Sequence, residues 1–170
     1  MNVQIKTEKN LQQAFAGESS AHRRYTLYSE KADEDDQPQV ARLFRAAALA
    51  EAIHARNHFN AFDAIGSTKD NLTAAVFGEH EEFSYMYPGF IDDAERERNS
   101  RGLQTFQWAN AVEKVHHHLF EKNLEAVREN KKPEETVYYV CQRCGNTVEG
   151  EAPEKCPICG ASRKMFKLID

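Results

Sequence analysis

The chain has 170 residues, 41% hydrophobic and 29% charged, the composition of one globular domain with a small appendage. Its net charge of −5 excludes nucleic acid and anionic membrane surfaces as main partners. No apolar run approaches the roughly 18 residues of a membrane span, and the opening Met1-Asn2-Val3-Gln4-Ile5-Lys6 reads as no secretory leader, so a cytoplasmic protein is expected.

The first 130 residues read as four long helices, with apolar residues three and four apart. Thr7 and Asn10 look like the first entry, and Leu11, Phe15, Tyr25 and Tyr28 follow as its stripe. A polar stretch from Asp33 to Gln37 breaks the pattern, and Pro38 suits the first turn of the next helix. That second helix carries Leu43, Phe44, Ala47, Ile53 and Phe62 and is expected to stop at Gly66. Thr68 caps the third, which runs through Leu72, Val76, Phe83 and Met86. Gly102 marks the next break, and the fourth carries Phe106, Leu119, Phe120, Leu124 and Val127. The charged linker around Pro133 divides the chain into domains 1–132 and 133–170. The second is too short to bury a core unaided and needs a staple.

The stripes contain charged residues where apolar ones belong. Glu18 falls on the first, Glu51 and His54 on the second, Glu79 and Glu82 on the third, and Glu113 and His116 on the fourth. A buried ionised carboxylate costs several kcal/mol unless paired. Lysine and arginine do not recur on these stripes, so metal cations are the natural partner. Two helices with Glu-x-x-His and two more with a single glutamate match the di-iron or di-manganese carboxylate signature of helix bundles. Five glutamates bring −5 against +4 from two divalent ions. Glu51 lies 33 residues after Glu18, and Glu113 lies 34 after Glu79, so two helical hairpins repeat one ligand register. Glu82 breaks that symmetry, with Ala21 as its counterpart, and is a seventh potential ligand. Gly17 and Gly78 precede the lone glutamates, either for close backbone packing or as tolerated glycines. His22, His80, His117 and His118 read as surface residues, and His58 as a core histidine. Tyr25 and Tyr87 either hydrogen-bond the ligand carboxylates or are ordinary aromatic core.

All four cysteines lie in the tail, as Cys141-x-x-Cys144-Gly and Cys156-x-x-Cys159-Gly, with eleven residues between Cys144 and Cys156. This spacing is a strong signal for a tetrathiolate metal centre. The spacing does not choose between zinc, which would make a structural ribbon, and iron, which would make a one-electron carrier. The flanks 137–140 and 165–169 read as short strands.

The combined motifs resemble the rubrerythrin family over nearly the whole chain. The matching segments are Phe15-Ala16-Gly17-Glu18-Ser19, Glu51-Ala52-Ile53-His54, Gly78-Glu79-His80-Glu81-Glu82 with Met86-Tyr87-Pro88, Glu113-Lys114-Val115-His116 and both cysteine knuckles. The resemblance implies an all-α ferritin-like four-helix bundle with a di-iron centre, followed by a small β-rich rubredoxin-like domain with one more iron. It implies reduction of hydrogen peroxide to water, with electrons from reduced pyridine nucleotide through a partner reductase or rubredoxin. It also implies that Glu82 and His54 exchange at one iron as it changes oxidation state. An iron-oxidising or iron-storing protein is the second reading, and a zinc-tailed docking module is the third.

The link between the second and third helices bears on assembly. A ferritin-like bundle returns the chain along its full length at this point. A helix over 38–66 would be about 43 Å long, whereas the steps from Gly66 to Asn71 reach at most about 18 Å. A homodimer that swaps helical hairpins is therefore expected.

Overall fold

The computed structural model describes residues 3–169, so Met1 and Asn2, where the leader reading begins, lie outside the described residues. The chain forms two compact units that divide after Gly66.

The first unit is a helical hairpin of α1 (Val3–Glu34) and α2 (Pro38–Ala61). Pro38 occupies the first turn of α2, where its missing N–H costs nothing. The α1 helix begins before the expected entry at Thr7 and Asn10. The α2 helix ends earlier than expected: Phe62 is already non-helical, and Asp63 turns left-handed at φ 53°. The buried residues of α2 are Ala41, Ala48 and Ala55, one every seven residues, facing buried Ala21 and Ala32 of α1. Side chains this small let the two helices approach closely. Aromatic clusters fill the rest of the seam, with Phe15, Phe59 and Phe62 in one and Tyr25, Tyr28 and Phe44 in the other. Leu43, expected on the core stripe, is 67% exposed. A two-helix hairpin has one seam, and Leu43 lies outside it.

The second unit begins with α3 (Thr68–Glu81). Its cap is Ser67, not Thr68. The Asp70 N–H donates to Ser67 Oγ, and the Ser67 N–H donates back to the Asp70 carboxylate. A single π turn (Glu82–Met86) follows and is closed by the Tyr87 N–H donating to the Glu82 carbonyl. The chain continues as α4 (Tyr87–Arg96). Pro88 explains the interruption, since it has no N–H to continue the helical ladder. The next reversal falls at Glu97–Asn99 rather than at Gly102. Arg98 is left-handed, and Asn99 Oδ1 caps α5 (Ser100–Arg128) by accepting from the Gly102 N–H at 3.0 Å. Gly102 therefore lies inside the first turn, and α5 packs on α3 and α4.

The tail is a three-stranded antiparallel sheet of β1 (Tyr138–Cys141), β2 (Thr147–Glu149) and β3 (Phe166–Ile169), in the order β2-β1-β3. Tyr139 pairs with Val148 on one side and Leu168 on the other. β2, three residues inside the cysteine loop, is too short to carry a periodic signal and was not expected. The all-α reading with a small β-rich tail stands. No helix among the described residues is long and apolar enough to cross a membrane.

Candidate metal centres

In the first unit, Glu18 on α1 meets Glu51 and His54 on α2, with ligating atoms all within 4.8 Å of one another. His54 Nδ1 lies 3.3 Å from Glu51 Oε2. A hydrogen bond shared between the two glutamates raises the pKa of Glu18 and lowers that of Glu51.

The second unit repeats the arrangement. Glu79 on α3 meets Glu113 and His116 on α5. His116 Nδ1 is 2.8 Å from Glu113 and 3.8 Å from Glu79. Burial, reinforced by a hydrogen bond with Glu113, pushes Glu79 up to about 7. Burial works against ionisation of Glu113 too, but hydrogen bonds with His116 and Glu79 outweigh it and hold Glu113 below the usual range. The same bond to Glu113 raises His116. Each half-site thus packs two carboxylates and an imidazole nitrogen against each other, with protons supplying the only positive charge. Those donor types at those separations suit a divalent cation, which would replace the protons.

Glu82 opens the π turn beside this second cluster, and burial followed by the Glu113 charge raises its pKa. Single π turns occur often at functional sites, because one extra residue re-aims a side chain. Tyr87 is raised by burial and then by the charges of Glu113, Glu82 and Glu79, so its phenol lies near the carboxylates. Tyr25 instead packs between the rings of Tyr28 and Phe44. His117 donates to the Val76 carbonyl (3.0 Å) and His22 to the Ala48 carbonyl (2.9 Å), so these two histidines bind backbone. His22 and His118 are exposed, as expected, whereas His80 is half-buried. A Cβ at Gly17 or Gly78 would meet nothing within 4 Å, so close packing inside the chain is not their reason.

The four cysteines converge on one point. Cys141 and Cys159 Sγ are 3.7 Å apart, and Cys144 and Cys156 Sγ are 3.6 Å apart. All four are free thiols, and such separations far exceed the roughly 2 Å of a disulfide. A tetrahedral ion with metal–sulfur bonds of about 2.3 Å has an edge of about 3.8 Å, so the cavity fits. Each knuckle closes with a glycine: Gly145 N–H donates to the Cys141 carbonyl and Gly160 N–H to the Cys156 carbonyl. Both glycines need a left-handed φ, at 84° and 70°. Burial pushes the Cys144 thiol well up, whereas backbone N–H groups of Cys159 and Ile158 outweigh burial at Cys156 and lower it.

Sequence reasoning missed Thr147. Its Oγ1 lies 3.0 Å from His116 Nε2, and nothing in the residue or its spacing marks it. The same residues line an apolar groove of about 610 Å³ that Leu72, Glu79, Phe120 and Tyr138 complete.

The proton balance gives a pH prediction. Divalent metal must displace the proton of Glu79, so affinity at the second half-site should weaken as pH falls through about 7. Without metal the sign reverses for stability. Glu79 binds its proton more tightly folded than unfolded, so its contribution is lost as pH rises from about 4.5 through about 7. The raised His116 acts in the same direction, losing its contribution as pH rises through its folded pKa. Zinc titrations and thermal melts of metal-free and loaded protein, from pH 5.5 to 8, check both slopes.

Two matched carboxylate–histidine clusters on helical hairpins, with a tetrathiolate tail, define a class of iron-binding redox proteins. The rubrerythrin family profile matches residues 9–124, and the profile of the rubrerythrin rubredoxin-like domain matches residues 139–167. Rubrerythrin-2 of Clostridium acetobutylicum is 37% identical over 94% of each chain. Nigerythrin of Nitratidesulfovibrio vulgaris is 36% identical over 94% of this chain and 85% of its own. The solved structure titled as the fully reduced, all-ferrous state of nigerythrin aligns with a TM-score of 0.57 at 33% identity, covering 96% of this chain and 86% of that one. The chain belongs to the rubrerythrin family. It is an iron-protein oxidoreductase with a carboxylate–histidine di-iron site and a rubredoxin-like iron site.

Proposed function

We propose that the chain is a peroxidase that reduces hydrogen peroxide to water, with electrons entering through the tetracysteine centre of Cys141, Cys144, Cys156 and Cys159. The ligands proposed for the di-iron centre are Glu18, Glu51, His54, Glu79, Glu82, Glu113 and His116. The observation that carries this reading is that one chain holds two Glu–Glu–His clusters and a cluster of four cysteines. A storage protein has no use for the carrier, and a structural tail has no use for the di-metal site. Cleaving one peroxide takes two electrons and two protons and leaves two waters, and a ferrous pair supplies both electrons.

The residues divide the remaining work. Glu18, Glu51, Glu79 and Glu113 bring four negative charges, which balance two ferrous ions. Glu82 would bring a fifth, offsetting one of the two charges gained on oxidation. The His54 imidazole would take Glu82's place when those charges are lost, so the two would be the exchangeable pair. The Tyr87 hydroxyl serves the carboxylates as a hydrogen-bond donor, and Tyr25 holds the first hairpin's aromatic cluster. The electron donor is a reductase or a rubredoxin-type protein. Free thiols on all four cysteines favour a reducing compartment, the cytoplasm.

The site is proposed to be completed by a second copy. Each unit offers one Glu–Glu–His cluster, and each leaves large apolar side chains uncovered, Leu43 and Leu49 in the first and Phe77 in the second at 64–67% exposure. The α2 helix of 24 residues is about 36 Å long. The seven steps from Ala61 to Thr68 reach at most about 25 Å, longer than a helix ending at Gly66 would leave but still too short to retrace it. A homodimer that exchanges hairpins joins both halves.

The test uses anaerobic, iron-loaded, chemically reduced protein. Expected are three irons per chain, and rapid two-electron oxidation by one equivalent of peroxide without oxygen release. Faster oxidation by dioxygen than by peroxide, with iron accumulating beyond three per chain, would favour iron storage instead. Glu82→Ala should keep the metals through the other six ligands and lose turnover. Unchanged turnover in that variant would remove Glu82 from the cycle.

A further inference from the structure

One face of α5 is matched to the chain's own tail. Trp108, Val112 and His116 recur every fourth residue and so lie in one row. Arg143, Gly145 and Thr147 recur every second residue along the first knuckle and into β2. The two rows meet in order. The Arg143 guanidinium sits over the Trp108 ring at 5.1 Å, Val112 Cγ1 lies 3.9 Å from where a Gly145 Cβ would be, and Thr147 Oγ1 lies 3.0 Å from His116 Nε2. Beyond them, Lys122 Nζ reaches both oxygens of Glu149, at 2.9 and 3.1 Å. Arg143 and Gly145 lie in the knuckle turn and Thr147 opens β2, so the turn and the start of the strand together lie along α5.

The Thr147 contact also has defined hydrogen-bond roles. The Thr147 hydroxyl donates to the Gly145 carbonyl at 3.3 Å, so its oxygen is left to accept from a His116 Nε2–H. That fixes the tautomer and presents the Nδ1 lone pair to the cluster of Glu113 and Glu79. A hydrogen bond on the remote nitrogen of a metal-ligating histidine orients the ring and sets its basicity.

The geometry points to Thr147 as a positioning residue that holds His116 and joins the tetracysteine centre to the di-iron half-site of its own chain. This rests on the redox reading proposed above and deepens it. The route leaves Cys144, follows Gly145 and Asn146 to Thr147, and crosses one hydrogen bond to His116. The step moves a single electron and makes or breaks no bond, oxidising the tetracysteine centre by the same one electron that reduces the di-iron site. The contacts at Trp108, Val112 and Lys122 act as the dock that keeps this hydrogen bond in place.

Three readouts on the full-length protein test it. In zinc-substituted protein, the single tryptophan, Trp108, reports docking by fluorescence. Arg143→Ala should shift its emission, and unchanged emission would mean that the tail does not rest on α5. In the same zinc form, nitrogen-detected NMR should show a His116 Nε2–H slow to exchange with solvent. Thr147→Val should lose that protection and Thr147→Ser should keep it. In iron-loaded protein, peroxide is added to the fully reduced form, and the return of the ferric-thiolate colour times the internal transfer. Thr147→Val should slow this phase about 10- to 100-fold relative to the initial peroxide reaction, the range of activity loss for changes behind a metal ligand. Thr147→Ser should restore it. An equal rate in wild type and Thr147→Val, or an unprotected Nε2–H in wild type, would overturn the proposal. If instead the reduced di-iron site fails to react with peroxide in wild type, the peroxidase reading fails while the zinc-form readouts still decide the contact.

Discussion

Co-expressing Glu51→Ala chains with Glu113→Ala chains should restore peroxide turnover that neither variant has alone. In a hairpin-swapped dimer, each di-iron site takes Glu18, Glu51 and His54 from one chain and Glu79, Glu82, Glu113 and His116 from the other. A mixed dimer then has one site with both defects and one with neither. Each mixed dimer should show about half the activity of a wild-type dimer, or about a quarter across a randomly assorted pool. In an unswapped assembly every site carries one defect, and nothing returns. The expectation has an energetic basis: a lone hairpin supplies only one Glu–Glu–His cluster and leaves apolar residues such as Leu43 exposed, so the dimer should be obligate. A monomer that retains two irons in its helical part would exclude the swap.

Cys141→Ser should separate the two centres. Cys141 is 1% exposed, and its sulfur stands 3.7 Å from that of Cys159. Removing one thiolate from a tetrahedral set should abolish the ferric-thiolate colour and unfold the tail locally, since the metal supplies the stability that so short a segment lacks. Donor-driven turnover should fall to near background. A chemically pre-reduced di-iron site should still consume one equivalent of peroxide at the wild-type rate. Loss of that single turnover as well would mean that the tail supports the di-iron site structurally. Unchanged donor-driven turnover would mean that electrons enter elsewhere.

The metal chemistry was legible because it violates the hydrophobic pattern. Glu51 and His54, or Glu113 and His116, stand on stripes where a buried charge is costly, and a cation shared with a second carboxylate offsets that cost. The structure brings each pair to the glutamate of its hairpin partner. The tail was legible for a different reason, since two C-x-x-C-G knuckles have little use except to surround an ion. Helix ends were read less well. Thr68 and Gly102 yielded to Ser67 and Asn99, because a cap is chosen by which side-chain oxygen reaches a free N–H, and neighbouring residues compete for it. The π turn at Glu82 was not read, although Pro88 six residues on carries part of the signal.

By itself the sequence determined the helical hairpins, the carboxylate–histidine repeat and the tetracysteine tail, because each depends on residue type and spacing within one segment. Tertiary structure decided what depends on segments far apart in the chain. It ended α2 at Ala61 and left a seven-step link to α3. It set α5 against the first knuckle, 31 residues separating His116 from the threonine that holds its ring. No local pattern encodes that contact, because it exists only when the knuckle turn and the start of β2 come to lie on α5.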